Sequence, residues 1–157
     1  MQERMEKYQL SKEEITTVLT ESSSGVLATI NSDGSPYATP IQFVYQGGRL
    51  YFHGRSAGQK LDNLRADARV SFTAYQEQGL QRSPQGKPCG TITCYRSVII
   101  SGTARELSDP AAKTAALAAI VAKYTPELAG VPLPETSVAK TAVIELTPDA
   151  ITGKYYG

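Results

Sequence analysis

Tryptophan is absent from this chain, histidine occurs once, and cysteine occurs twice in 157 residues. His53, Cys89 and Cys94 form neither a CxxC pair nor any other metal-ligand spacing, so the sequence predicts no zinc site and no disulfide framework. With only one histidine, a Ser/His/Asp hydrolase has little support. We therefore expect two reduced thiols and no metal.

An excess of charge of one sign and a long apolar run are also lacking. Lys and Arg number 16 against 15 Asp and Glu, a net charge of +1, which leaves no electrostatic footprint for nucleic acid or an anionic membrane. The opening MQERMEKYQLSKEE is too polar for a signal peptide, and no window is apolar for long enough to span a bilayer. The sequence predicts a cytoplasmic protein without nucleic-acid or membrane partners. Its length predicts one domain over 1–157, with 1–10 loosely ordered.

Strand patterns dominate the first half of the chain. Ser11 and Glu14 form a capping box before a short helix, and Asp33-Gly34 favours a hairpin between strands 25–30 and 36–46. The second strand alternates, with Thr39 and Ile41 on one face and Ala38 and Pro40 on the other. Because Pro40 has no N–H, this strand is expected to lie at an edge or to be bulged or interrupted.

Further strands and helices follow in the same manner. We expect Gly47-Gly48 to form the next hairpin turn, Gly102 to mark a bend or bulge, and Asp109-Pro110 to start a helix. The predicted segments are strand 49–54, helix 57–66, strand 68–75, loop 76–91, strand 95–107, helix 111–124 and strand 138–151. Six strands with helices at their corners predict a mainly β fold, a small antiparallel barrel with peripheral helices. Small residues on one face of the strands suit a barrel whose outer surface is covered by a partner.

The segment RLYFHGRSAGQKLDNLRADARVSF, residues 49–72, has the outline of a phosphate-binding site. A strand runs through His53-Gly54 into a short helix, where Ser56 can cap the helix start and Lys60 adds a positive charge to the first turn. The alternative is an ordinary surface lysine on an ordinary helix, and the segment alone leaves both open.

Three segments resemble the FMN-binding split-barrel proteins of the pyridoxamine 5′-phosphate oxidase superfamily, most closely the nitroimidazole-resistance type. They are GVLATI-NSDG-SPYATPIQFVY, LYFHGRSAGQKLDNLRADARVSF and CYRSVIISGTA, and the resemblance extends over residues 10–150. It implies a six-stranded antiparallel split barrel of the FMN-binding type, assembled as a homodimer with two flavin sites at the interface. It also implies an FMN-dependent oxidoreductase that reduces small molecules such as nitro-aromatic compounds.

The same resemblance implies which residues would bind FMN. Ala38, Thr39, Pro40 and Ile41 would line the flavin ring with backbone and apolar groups. His53, Gly54, Gln59 and Lys60 would hold the ribityl phosphate, with Arg55 and Ser56 nearby. Ser97 would reach the flavin from the second subunit. No catalytic residue is identified.

Departures from the family pattern narrow the activity. True pyridoxamine phosphate oxidases have arginine where this chain has Ala38 and lysine where it has Phe43, and of their basic C-terminal tail only Lys154 is present. These differences argue against oxidation of the vitamin and leave flavin binding in place.

Two alternatives to the FMN-dependent reductase stay open at this point. One is a non-catalytic flavin or haem binder with a role in storage, sensing or stress, because no electron-donor site is visible in the sequence. The other is a deazaflavin-dependent reductase with the same barrel. His53 accordingly has three readings: a phosphate donor, a haem ligand, or a strand-end residue without a ligand.

Overall fold

The computed structural model describes residues 6–157, which form one antiparallel sheet of seven strands with helices around it. The strands are β1 (Gly25–Ile30), β2 (Pro36–Ile41), β3 (Val44–Gln46), β4 (Arg49–Arg55), β5 (Arg69–Gln81), β6 (Ile92–Glu106) and β7 (Thr141–Tyr156). The helices are α1 (Lys12–Glu21), α2 (Gln59–Ala66), α3 (Pro110–Tyr124) and α4 (Glu135–Lys140), with a 3-10 turn at Pro126–Leu128.

The strand order shows that the sheet curls into a barrel. The order is β2-β1-β5-β6-β7-β4-β3, so β2 and β3 are the two edges of the sheet. Only Gln42 and Phe43 separate them along the chain. Two residues span less than about 10 Å, so the two edges must come together, and the barrel is closed by chain connection across a seam at Gln42-Phe43. The expected mainly β, antiparallel split barrel with peripheral helices is confirmed.

Local sequence explains how the elements begin and turn. Ser11 and Glu14 form both hydrogen bonds of the capping box at the start of α1. Gly47 and Gly48 both have positive φ and join β3 to β4 by a two-residue turn, as predicted. The register between β6 and β7 shifts at Ser101/Gly102, which confirms the predicted bulge. Asp109 caps α3 by accepting a hydrogen bond from the Ala112 N–H.

The core lies inside the barrel. Three phenylalanine rings are fully buried there: Phe43 packs edge-on to Phe72 at 4.7 Å between centroids, and Phe52 lies 5.6 Å from Phe72. Leu61 and Leu64 of α2 and Val18 and Leu19 of α1 join the same cluster. The two helices therefore cover the barrel with their apolar faces.

Several predicted boundaries were wrong for identifiable reasons. The strand expected over 36–46 is broken at the seam, which gives seven strands instead of six. Part of the loop expected over 76–91 is strand, because β5 continues to Gln81 and pairs with β6 from Ile92, with a register shift at Glu77/Gly79. Residues 77–81 are exposed and extend beyond the core, so no burial pattern marked them in the sequence.

The two ends of the chain also differ in detail from the prediction. The strand expected over 138–151 begins later, at Thr141, because Pro134 and Glu135 start a helical turn, and it continues through the tail to Tyr156. Within the segment 1–10, residues 1–5 lie outside the described residues. The Leu10 N–H donates to the Gly153 carbonyl, the Tyr155 N–H donates to the Tyr8 carbonyl, and Leu10 is buried.

Candidate functional site

Helix α2 begins directly after β4, and its N-cap is Gly58. The prediction that Ser56 caps the helix was wrong: Ser56 is exposed, and no side chain of residues 6–157 caps the helix start. The first N–H groups that bond within the helix are those of Leu61 and Asp62, which donate to the Gly58 carbonyl. The amides of the two helical residues before them, Gln59 and Lys60, come too early in the helix to have an intrahelical acceptor. An uncapped helix start presents donors and a partial positive charge to an external acceptor.

Lys60 lies in the first turn of α2, half-buried beside the backbone of β4. A Cβ atom added at Gly54 would lie 3.5 Å from Lys60 Nζ, so the glycine places strand backbone next to the ammonium group. Within residues 6–157, Lys60 has neither an ion pair nor a hydrogen bond to its side chain. Burial lowers its pKa. A half-buried cation without a counter-ion is unfavourable until an anion pairs with it.

His53 lies one residue before Gly54 and is exposed. Burial, and then the charge of Lys60, lower the pKa of His53. The imidazole is therefore neutral at pH 7, with one N–H donor and one free lone pair. Arg55, at the end of β4, is exposed.

Gln59 is engaged in a hydrogen-bond network that ties α2 to β1. Its Nε2 donates to Asn63 Oδ1 at 2.8 Å. Asn63 Nδ2 in turn donates to Thr29 Oγ1 at 3.0 Å and to Asn31 Oδ1 at 2.9 Å. Asn63 and Thr29 are both buried. We call Thr29, Asn31, Gln59 and Asn63 the α2 network; it fixes the helix that carries Lys60.

Sequence reasoning missed Asn63, Thr29 and Asn31. A signal was present, because Thr29 follows Leu27 at strand spacing and so occupies a core-facing position where a hydroxyl needs a partner. Thr29 Oγ1 also approaches the Tyr37 carbonyl at 3.4 Å. The network thus extends from α2 to the residue that precedes Ala38.

The four residues of β2 expected at the flavin ring lie on opposite faces of the strand. Ala38 and Pro40 are exposed and pair with Ala28 and Val26 of β1. Thr39 and Ile41 face the barrel interior, where Ile41 packs against the core and the hydroxyl of Thr39 is buried with no partner in the described chain. Of these four, Ala38 and Pro40 therefore present side chains outward. β2 is an edge strand, which is one of the three alternatives predicted from Pro40.

Ser97 lies on a different part of the outer surface. Its hydroxyl is 3.5 Å from the Lys154 carbonyl of the neighbouring β7, and it borders a cavity of about 320 Å³ with Leu10, Ile15, Ile99 and Lys154. Helix α2 meets β6 at the other end of the strand, where Arg65 Nη2 lies 3.0 Å from Glu106 Oε2. Nine residues separate Ser97 from Glu106, roughly 30 Å along an extended strand. Within one chain, Ser97 therefore lies far along β6 from the end of α2 at Arg65.

Two other features lie apart from these residues. A cavity of about 920 Å³ lies between α3 and α4, lined by residues such as Ala111, Leu133 and Val138. Cys89 is exposed, Cys94 is half-buried in β6, and neither forms a disulfide. In the described part of the chain, no helix has the length and apolar character needed to cross a membrane.

Comparison with known proteins agrees with this architecture. The sequence profile of the family described as Pyridoxamine 5′-phosphate oxidase matches residues 11–155, so the chain belongs to that family. No match was found among curated proteins.

Solved structures show the same fold. A putative 5-nitroimidazole antibiotic resistance protein from Bacteroides thetaiotaomicron is 22% identical, with a TM-score of 0.81 over 94% of this chain and 86% of that chain. The flavocytochrome Anf3 from Azotobacter vinelandii is 24% identical, with a TM-score of 0.85 over 99% and 72%. An FAD and heme binding protein from Mycobacterium smegmatis is 23% identical, with a TM-score of 0.84 over 94% and 73%.

Proposed function

We propose that this protein binds FMN and acts as a flavin-dependent oxidoreductase on small molecules. The observation that carries the proposal is the half-buried ammonium of Lys60, which has no counter-ion in the described chain and lies beside Gly54 at an uncapped helix start. A dianionic phosphate supplies what this position lacks: negative charge and acceptors for the first-turn amides. Family membership and flavin-binding structural neighbours support the proposal.

The residues around this position fit an FMN phosphate and ring. Lys60 would pair with the phosphate, and the neutral imidazole of His53 would donate one hydrogen bond to it. The small side chains of Ala38 and Pro40 leave the outer face of β2 flat, so an isoalloxazine ring would lie against it without steric conflict. The α2 network joins the two regions, because it connects α2 to Tyr37 of β2.

The chemistry divides between protein and cofactor. When bound, FMN would supply the redox step, which needs no triad or metal from the chain. The role of this chain is then to hold the phosphate at Lys60, to orient the ring on β2, and to leave one ring face open to a small molecule. Alanine stands at position 38 and phenylalanine at 43, so the side chains typical of pyridoxamine phosphate oxidation are missing.

We also propose a homodimer in which Ser97 of one subunit reaches the flavin held by the other. The bare outer face of the sheet supports this. Val26, Thr73, Ile99 and Thr152 form a row across four strands with no charged residue, and Val26 and Ile99 are 40% and 48% exposed. An uncharged, partly apolar face of this kind marks an interface. A cytoplasmic location remains a prediction.

The best test of the phosphate site compares two ligands that differ only by the phosphate. Lys60→Ala should weaken FMN binding by about 1.5–3 kcal/mol, roughly 10- to 150-fold, and leave riboflavin binding unchanged. Fluorescence titration gives both dissociation constants, and Lys113→Ala provides a matched control at another half-buried lysine, in α3. An equal loss for both ligands would show that Lys60 does not contact the phosphate.

The absorption spectrum of the purified protein separates the alternatives. Flavin bands support the proposal, a Soret band would favour haem binding, and deazaflavin fluorescence would favour the deazaflavin-dependent reductase. Haem is the second candidate because neutral His53, with a free lone pair at the protein surface, is in the form that ligates iron. Reduction of nitro-aromatic compounds by the flavin-loaded protein then tests the substrate class.

The dimer is tested by sedimentation. The wild-type chain should sediment as a dimer at micromolar concentration, and Ile99→Glu should shift it to monomer because a charge cannot be buried unpaired in the interface. Ala118→Glu, on the exposed side of α3, is the control and should remain dimeric. A wild-type monomer would refute both the dimer and the shared flavin site.

A further inference from the structure

The seam between β2 and β3 is held by the last turn of a helix that is distant in sequence. At the seam, Phe43 lies outside both strands. Its N–H donates to Tyr124 Oη at 2.9 Å, and its carbonyl lies 2.8 Å from the same oxygen. Tyr124 is the last residue of α3, 81 residues further along the chain. One side chain thus satisfies both backbone groups of Phe43.

The same hydroxyl also reaches the segment after α1. The Ser23 carbonyl lies 2.8 Å from Tyr124 Oη. A hydroxyl has one proton, so Tyr124 accepts from the Phe43 N–H and donates to one of the two carbonyls at a time. Burial raises the pKa of Tyr124, which keeps this proton in place at neutral pH.

Lys123, the residue before Tyr124, contacts the ring of Phe43. Its Nζ lies 4.1 Å from the centroid of the Phe43 ring, within cation–π distance. Nζ also donates to the Leu19 carbonyl in the last turn of α1 at 3.3 Å. We call Lys123 and Tyr124 the seam clamp, because they fix Phe43 by its ring and by its backbone.

The clamp bears on the strand proposed to carry the flavin ring. β2 is an edge strand, so β1 holds it on one side only. Its last residue, Ile41, lies two positions before Phe43, and the outward residues Ala38 and Pro40 come just before that. The conformation of this strand end therefore depends on where Phe43 is anchored.

We propose that Tyr124 is a positioning residue for the flavin: its hydroxyl anchors Phe43 and thereby sets the outer face of β2 against which the ring lies. This inference rests on the proposed flavin-binding function. Within residues 6–157, the hydroxyl of Tyr124 bonds to Phe43 and Ser23 and not to Lys60, so its effect falls on the ring and not on the phosphate.

The test removes the hydroxyl and retains the ring. Tyr124→Phe should raise the dissociation constants of FMN and riboflavin by the same factor, roughly threefold to tenfold, as expected for one net hydrogen bond. It should also change the visible circular dichroism of the bound flavin. Thr125→Val is the matched control: it removes the neighbouring hydroxyl, whose one bond in the described chain is to the Val121 carbonyl of α3. That variant should bind both ligands like wild type.

Hydrogen exchange gives an independent measurement on the ligand-free protein. The Phe43 amide should exchange faster in Tyr124→Phe than in wild type or Thr125→Val, because its acceptor is gone. Binding is measured well below the melting temperature of each variant, where a purely structural role would leave affinity and flavin dichroism unchanged.

The outcomes separate this inference from the proposed function. If wild type binds neither FMN nor riboflavin, the proposed function and the positioning role both fail. If wild type binds flavin and Tyr124→Phe binds it equally well with the same dichroism, only the positioning role fails. A loss confined to FMN in Tyr124→Phe would also overturn it.

Discussion

Two helices bring a half-buried lysine to the barrel, and the two lysines differ in what they contact. Lys123, in the last turn of α3, donates to the Leu19 carbonyl and lies over the Phe43 ring. Lys60, in the first turn of α2, lies beside Gly54 and has no hydrogen-bond or ion-pair partner in the described chain. Burial lowers the pKa of both.

The difference supports Lys60, and not Lys123, as the proposed ligand position. Interactions with the carbonyl and the ring offset part of the cost of burying the ammonium of Lys123, although burial still lowers its pKa to about 8. The corresponding cost at Lys60 is not offset by the protein itself. The missing interaction at Lys60 is what supports the proposed site, and it distinguishes two positions that have the same residue type and similar burial.

The largest expected effect comes from removing the hydrogen bonds that attach α2 to β1 and to Asn31. Asn63→Leu leaves the buried Thr29 hydroxyl and the Asn31 side chain without their donor, and it should lower the free energy of unfolding by about 2–3 kcal/mol. Urea denaturation measures this. Asp62→Ala, on the exposed side of the same helix, should cost less than about 0.5 kcal/mol. Equal costs would mean that the α2 network does not hold the helix.

A second prediction contrasts the two lysines in the ligand-free protein. Lys60→Met removes an unpaired half-buried charge and should raise the free energy of unfolding by about 0.5–1 kcal/mol. Lys123→Met removes a hydrogen bond and a cation–π contact and should lower it by about 1 kcal/mol. Changes of opposite sign in the free energy of unfolding, measured by urea denaturation, would support the distinction between the two lysines. Changes of the same sign would contradict it.

The last prediction is a pH dependence of stability that Lys123 contributes. Burial lowers its pKa from 10.5 to about 8. Between these values the unfolded chain binds the proton and the folded chain does not, so the contribution to stability rises with pH across this window and is flat below it. Melting of wild type against Lys123→Met from pH 7 to 10 isolates the contribution. A difference that stays constant with pH would show that the ammonium remains charged in the fold.

Much of the fold was readable from the sequence because its signals are local. The capping box at Ser11, the turn at Gly47-Gly48 and the bulge at Gly102 each depend on residue types with particular backbone preferences. Alternation along β2 also separated Ala38 and Pro40 from Thr39 and Ile41, as the structure shows. Family resemblance had grouped these four residues together, so here the residue pattern carried the finer information.

What escaped prediction depends on contacts between distant segments. The break at Phe43 is stabilised by Tyr124, 81 residues away, and no pattern in the sequence links the two residues. In the sequence, Asn63 is an ordinary helix residue. Its hydrogen bonds to Thr29 and Asn31 become evident only in the structure. The start of α2 was placed near the correct position, but the cap was assigned to Ser56 instead of Gly58, because serine is the better cap by residue type and the sequence does not show that the bend after β4 continues to Gly58.

The position of β7 in the sheet constrains the order in which the barrel can be assembled. β7 lies between β6 and β4, so the hairpin of β3 and β4 joins the rest of the sheet only through the last strand, with Phe52 opposite Ile144. During synthesis, residues 44–55 therefore have no β7 to pair with until about ninety more residues have been added. Until then their strand edges and the Phe52 ring are open to other chains, the condition under which β proteins aggregate. Closure of the barrel is consequently a late, long-range step of folding, and slow folding is the cost of a barrel completed by its final strand.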